Sequence, residues 1–201
     1  MPQVSGNRKR RTFRVSCCAL PLSNLSMGAA FTSEMVATDL VESGKQVRLQ
    51  LLVAKPTTDG PHPVLIFNHG STGTARSPAM FHRAVKHEAL ADFFAARGWM
   101  TIFPQRRGRG KSEGQYGEGL NPTGVGYSCD AQTSISGAMR ALDDLAAIVR
   151  HVQARQDVLH SRMLIGGASR GGVLAIAYAG QNPDVFAGVL NFNGGWLGQG
   201  C

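Results

Sequence analysis

After residue 44 the spacing of apolar residues keeps switching between the strand period and the helix period. Val47, Leu49, Leu51 and Val53 alternate with Arg48, Gln50 and Ala54, which predicts a half-buried strand. Residues 56–63, with Asp59-Gly60 inside, carry turn chemistry. The run Val64-Leu65-Ile66-Phe67 predicts a strand covered on both faces. Residues 84–97 have helical spacing through Val85, Leu90, Phe93 and Phe94 and stop at Gly98. A second buried strand follows over 100–103, closed by Pro104. Residues 105–132 form a Gly-rich polar stretch, a length that belongs to functional or mobile loops. Ile135, Met139, Leu142, Leu145, Val149 and Val152 step by three and four, the stripe of a long amphipathic helix. Residues 163–165 predict a third buried strand, 173–178 open another helix, and 189–192 predict a fourth buried strand. Strands alternating with such helices imply an α/β fold, a mostly parallel sheet with helices on both faces.

Composition sets the bounds. The 201 residues suit one compact domain; 43% hydrophobic and 17% charged residues supply a core and exclude a disordered chain. No run of 18 apolar residues is present, so no transmembrane helix is expected. The formal charge is +8, but Arg8, Lys9, Arg10, Arg11 and Arg14 lie in residues 1–30, which hold no acid. Without them the remaining 16 bases exceed the 13 acids by 3, so the body is near neutral. Within it only Arg106, Arg107, Arg109 and Lys111 cluster, with no aromatics interleaved for stacking, which argues against a nucleic-acid partner.

Residues 1–30 read as a basic leader and 31–201 as the domain. The basic stretch, a modestly apolar run over 15–25 and Gly28-Ala29-Ala30 follow the pattern of a cleaved secretory signal, and Arg10-Arg11 resembles a twin-arginine export signal. Export to the periplasm is the expectation; the alternatives are a cytoplasmic protein with a disordered basic tail, or upstream sequence wrongly joined. Cys17 and Cys18 would leave with the leader. In an exported chain Cys129 and Cys201 are a candidate disulfide; otherwise they are two free thiols. Their spacing fits no zinc motif.

The strand at 163–165 runs into Gly166-Gly167-Ala168-Ser169-Arg170-Gly171-Gly172, and a helix follows. Gly167-x-Ser169-x-Gly171 is the G-x-S-x-G pattern in its strand-turn-helix context. A sharp turn there lifts the serine hydroxyl clear of the sheet, and the helix N-terminus points free N–H groups at the reacting centre. The plain alternative is a Gly-rich turn with an incidental serine. Asn68-His69-Gly70-Ser71-Thr72-Gly73 directly follows the strand at 64–67.

With these two elements the chain resembles the α/β-hydrolase family, and most of all its dienelactone-hydrolase-like and prolyl-oligopeptidase-like branches. The resemblance implies a serine hydrolase with Ser169 as nucleophile. It also implies an oxyanion hole made by the backbone N–H of Arg170 and one from the loop after His69-Gly70, at Ser71 or at Thr72. His69 would shape the loop, because the family places its base later in the chain. Arg107-Gly108-Arg109-Gly110-Lys111-Ser112-Glu113-Gly114 is similar to an R-G-x-G-x-S-x-G loop that shapes the active-site floor in many such hydrolases. Gly110-Lys111-Ser112 is no phosphate loop, since Gln105 stands where glycine is required. No metal or organic cofactor is implied, and the partner is a small ester or peptide substrate.

The family order is serine, then acid, then histidine. After Ser169 the only acid is Asp184, which reads as a surface turn, and all six histidines precede the serine. The expectation is therefore an N-terminal portion of a longer hydrolase whose C-terminal strands, with the acid and the histidine, are missing. A rewired triad using His87 or His151 with Asp130 or Asp143 is the competing reading. The apolar stripe leaves His151 on the helix face opposite the core. An inactive hydrolase-fold protein that acts by binding, and a nucleic-acid-associated protein that uses the leader, are the functional rivals.

Overall fold

The computed structural model describes residues 29–71, 78–123, 126–197 and 201. The expected leader therefore lies outside the described residues up to position 28, and so does Thr72. Six strands form one sheet: β1 (Phe31–Glu42), β2 (Lys45–Ala54), β3 (His62–Asn68), β4 (Met100–Gln105), β5 (Val158–Ala168) and β6 (Gly188–Phe192). Their order is β1-β2-β4-β3-β5-β6. β4, β3, β5 and β6 run parallel, and the β1–β2 hairpin joins β4 antiparallel. The helices are α1 (Pro78–His82), α2 (Glu88–Ala95), α3 (Ala131–Gln153) and α4 (Arg170–Gln181).

The continuous apolar runs are explained by cover on both faces. Successive side chains of a strand point to opposite sides. Val64 and Ile66 join Leu49, Leu51, Ile102, Met163 and Ile165 under α3 and α4. Leu65 and Phe67 join Phe103 and the Ala91 of α2 on the other side. Each fully buried Leu, Ile or Val contributes about 1.5–3 kcal/mol. The mostly parallel sheet with helices on both faces is the expected architecture.

Several local expectations are corrected. β1 lies before the first predicted strand; its burial alternates from Glu34 to Glu42, but only Val36 and Thr38 are fully buried, because it is an edge strand paired on one side. β2 is not half-buried throughout: Gln50 and Ala54 are enclosed as well. The helix expected over 84–97 begins only at Glu88, since Gln105 holds the backbone of Val85 through both its N–H (2.7 Å) and its carbonyl (2.8 Å). β4 does not close at Pro104 but continues to Gln105, with Pro104 opposite Leu51 beyond the last β3 partner of β4, Ile102. In α3 the first turns face the other way: Ile135 and Met139 are 59% and 52% exposed, while Ser134, Gly137 and Ala141 are buried. Gly137 takes that face because a Cβ there would lie 2.2 Å from the backbone N of Gly119. β6 is an edge strand and not a buried one, with Phe192 49% exposed.

The opposite end of the sheet from the G-x-S-x-G turn is closed by charge. Asp157 accepts from Arg155 at 2.8 and 2.9 Å and pairs with Lys55 at 2.6 Å, and Arg155 reaches Glu34 at 2.6 Å. The Arg155 hydrogen bonds hold the Asp157 carboxyl well below the usual carboxylate range. A depressed carboxylate stabilises the fold above its unfolded pKa and loses that contribution as pH falls. We expect the urea midpoint to drop between pH 5 and pH 3, and Asp157→Asn, already weaker at pH 6, to drop less over the same interval.

Candidate active site

The register aligns the ends of the three strands that build the site. Asn68 of β3 stands opposite Gly167 of β5, and Ala168 of β5 opposite Phe192 of β6. Ser169 sits alone between β5 and α4 with φ 52° and ψ −123°, a conformation that costs about 1–3 kcal/mol for a residue with a side chain. Hydrogen bonds on both sides hold it there. Its N–H donates to Phe192 O (2.9 Å), and its carbonyl accepts from Gly172 (2.9 Å), Val173 (3.3 Å) and Gly195 (3.3 Å). The flanking glycines are required by close approach: a Cβ on Gly167 would lie 2.3 Å from the Gly171 carbonyl carbon, and one on Gly171 would lie 2.2 Å from Asn68 O. The result is an exposed serine at the N-terminus of a 12-residue helix.

The loop after β3 leans on this turn. A Cβ on Gly70 would lie 3.2 Å from the Ser169 Cβ, so Gly70 lies against the serine, and the exposed Ser71 is the next residue of that loop. Arg170 is the first residue of α4, and its N–H has no intrahelical carbonyl to bond. Its side chain turns inward: the guanidinium stacks on Tyr127 (3.6 Å) and Trp196 (4.4 Å) and donates to the backbone carbonyl of Glu118. Cys129 and Cys201 are joined by a disulfide, a cross-link that ties the segment before α3 to the stretch beyond Trp196.

The histidines sort by position. His69 is buried; Nε2 accepts the Arg106 N–H (3.4 Å), which leaves Nδ1 protonated and donating to Gly70 O (2.7 Å). Burial, and secondarily the Arg106 charge, push its pKa well below the usual 6.5, so the ring is neutral and occupied. His62 and His160 lie at the starts of β3 and β5, away from Ser169. His151 is in the last turn of α3 beside the Arg155 cluster; it is half-buried, with Nε2 enclosed and unpartnered, and not solvent-facing as its place on the helix suggests. Asp130 caps the other end of α3, 21 residues and about 30 Å from His151. Asp143 is exposed, eight residues or about 12 Å from it. His87 packs against Phe67 (5.3 Å) and Phe103 (6.1 Å). Among the described residues no hydrogen bond joins His87 or His151 to either aspartate, and none joins a histidine to Ser169. Asp184 is exposed, as expected.

Of the basic cluster of the sequence, Lys111 is exposed and the three arginines face inward. Arg106, Arg107 and Arg109 are all buried. Arg107 pairs with Asp144 of α3 through its N–H (2.8 Å) and its Nε (2.5 Å). Ser112 donates to Gln105 O and accepts from the Gln50 N–H, locking the R-G-x-G-x-S loop onto β2. The part that touches the site is Arg106, which is engaged by Glu118. Neither Glu118 nor Asp144 is singled out by the sequence pattern. Glu118 stands between two glycines, a weak hint of a buried partner, whereas Asp144 follows the exposed Asp143 and carries no such hint. Among the described residues no helix is long and apolar enough to cross a membrane, and no cluster of His, Cys, Asp and Glu is arranged to hold a metal.

A family model described as Serine aminopeptidase, S33 matches residues 61–194. Among solved structures the chain is similar to dipeptidyl peptidase 4 of Porphyromonas gingivalis (TM-score 0.57, 15% identity, 82% of this chain and 21% of that one). It is similar to the α/β hydrolase GrgF from Penicillium sp. sh18 (TM-score 0.56, 16% identity, 80% and 45%). It is also similar to an acylaminoacyl peptidase of Pyrococcus horikoshii (TM-score 0.54, 17% identity, 84% and 24%). At these identities the likeness establishes the fold, and the chain spans less than half the length of each. A search of curated proteins finds no match.

Proposed function

We propose, for a chain that belongs to the serine aminopeptidase S33 family and has the α/β-hydrolase fold, that Ser169 is the nucleophile of a serine hydrolase acting on an ester or amide bond. The observation that carries this reading is the exposed serine at φ 52° on a turn between a parallel strand and a helix N-terminus. Its Oγ attacks the carbonyl carbon while a histidine base takes its proton; the histidine then gives that proton to the leaving alcohol or amine as the C–O or C–N bond breaks, which leaves an acyl-enzyme. The N–H groups of Arg170 and Ser71 stabilise the oxyanion, at about 3 kcal/mol each. Water then releases the acid and frees the serine. In this reading the base and its acid come from further strand–helix units of a longer protein, which is supported by the chain's spanning 45% of the α/β hydrolase GrgF and 24% of the acylaminoacyl peptidase. The buried, neutral His69 serves the loop and not the proton transfer. The Cys129–Cys201 disulfide supports an oxidising compartment, in keeping with export.

The test is turnover of aryl esters and aminoacyl arylamides by the full gene product. Ser169→Ala is expected to lower kcat by about 10⁴ or more with thermal stability unchanged or higher. A full product that folds, hydrolyses neither class and binds a small ligand would favour the binding-only reading instead.

A further inference from the structure

Arg106 is wholly buried and Glu118 nearly so, and the two form a two-point pair: Nε to Oε1, and the second guanidinium nitrogen to Oε2 at 3.0 Å. Such a pair is weak evidence for stability, because apolar residues of similar volume often serve the fold as well or better. What sets this pair apart is where its remaining bonds go. Arg106 donates to the carbonyl of His69 (3.0 Å) and, through its backbone N–H, to the His69 ring. Among the described residues His69 has two hydrogen bonds outside its own loop, at its ring Nε2 and at its carbonyl, and both come from Arg106. Glu118 also accepts the Tyr116 hydroxyl (3.0 Å), and its backbone carbonyl accepts the Arg170 guanidinium. One buried pair thus grips both segments that flank Ser169: the His69–Ser71 loop through Arg106, and the start of α4 through Glu118.

We propose that Arg106 and Glu118 are positioning residues that fix the spacing between the Ser71 and Arg170 amides, and so the geometry of the oxyanion site. The proposal rests on the reading of Ser169 as nucleophile. Glu118 orients the guanidinium with both carboxylate oxygens, and the guanidinium then sets the height of the loop by its bond to the His69 carbonyl. Preset donors act only when the spacing is held before the charge develops.

The test uses the full gene product and the double variant Arg106→Met with Glu118→Met, which removes both charges and orphans neither. It is expected to fold with near-normal far-UV circular dichroism. Hydrogen exchange should rise at least tenfold in peptides spanning 68–71 and 169–171 and stay unchanged in the β1–β2 hairpin. For a fluorophosphonate probe, kinact at Ser169 should fall tenfold or more with KI unchanged, a split that general loosening would not produce. Glu118→Gln keeps the side-chain shape and should move both readouts in the same direction; it decides the matter if the double variant does not fold. Unchanged exchange at 68–71 and 169–171, or a rise confined to 106–120, overturns the positioning role. Lack of wild-type labelling at Ser169 would sink the nucleophile reading, while the exchange pattern would still decide the positioning.

Discussion

Gly171→Ala should destabilise the chain by about 3 kcal/mol or more and abolish reaction at Ser169. The added Cβ would stand 2.2 Å from Asn68 O, 2.6 Å from Asn68 C and 2.6 Å from His69 O, all of them backbone atoms that cannot rotate away. The helix start would have to retreat from the end of β3, separating the amide of Arg170 from that of Ser71. For a chain of this size the melting temperature should fall by roughly 10 °C. Gly180→Ala is the internal control, on the same helix and with nothing within 4 Å of its added Cβ. It should raise stability by about 0.5–1 kcal/mol. Equal effects at the two positions would mean that the close packing of the turn on Asn68 is wrong.

The second large effect concerns the Arg107–Asp144 pair beneath the long loop. Burial pushes the Asp144 carboxyl up to about 6 even with the Arg107 guanidinium beside it. Removing the cation by Arg107→Met should cost about 3–5 kcal/mol at pH 8, because it leaves a carboxylate enclosed without its charge partner. The sign with pH is fixed. A carboxyl whose folded pKa lies above its unfolded value of about 3.8 favours the fold at low pH and weakens it as pH rises through the folded pKa. The variant should therefore regain part of its stability at pH 5, where Asp144 takes up a proton. Urea denaturation at the two pH values measures this; a deficit equal at both, or larger at pH 5, would contradict it.

β3 and β4 were legible because they are covered on both faces, whereas the strand expected over 163–165 runs from Val158 to Ala168, its extra residues including the exposed His160, Ser161 and Arg162. Runs such as Val64-Leu65-Ile66-Phe67 have no polar side to conceal, so their boundaries fall within two residues of β3 and β4. The turn at Ser169 was legible because close backbone approach demands glycine at 167 and 171, and that demand leaves a pattern. β1 was not, since an edge strand pairs on one side and can carry polar residues without penalty. The first turns of α3 misled for a related reason. Ile135 and Met139 extend the apolar spacing, but the face that meets Gly119 needs small residues, so Gly137 and Ser134 go inward. The arginine-rich stretch concealed its role because the acids that neutralise Arg106 and Arg107 lie 12 and 37 residues away, at Glu118 and Asp144.

The most direct measurement is peptide mapping after exposure of the full gene product to a fluorophosphonate. Trypsin releases Ser169 in Met163–Arg170. One phosphonate on that peptide, at Ser169, and none on a Ser169→Ala chain is the expected result. A folded full product that leaves this peptide unmodified, or carries the label on another serine, would contradict Ser169 as the nucleophile.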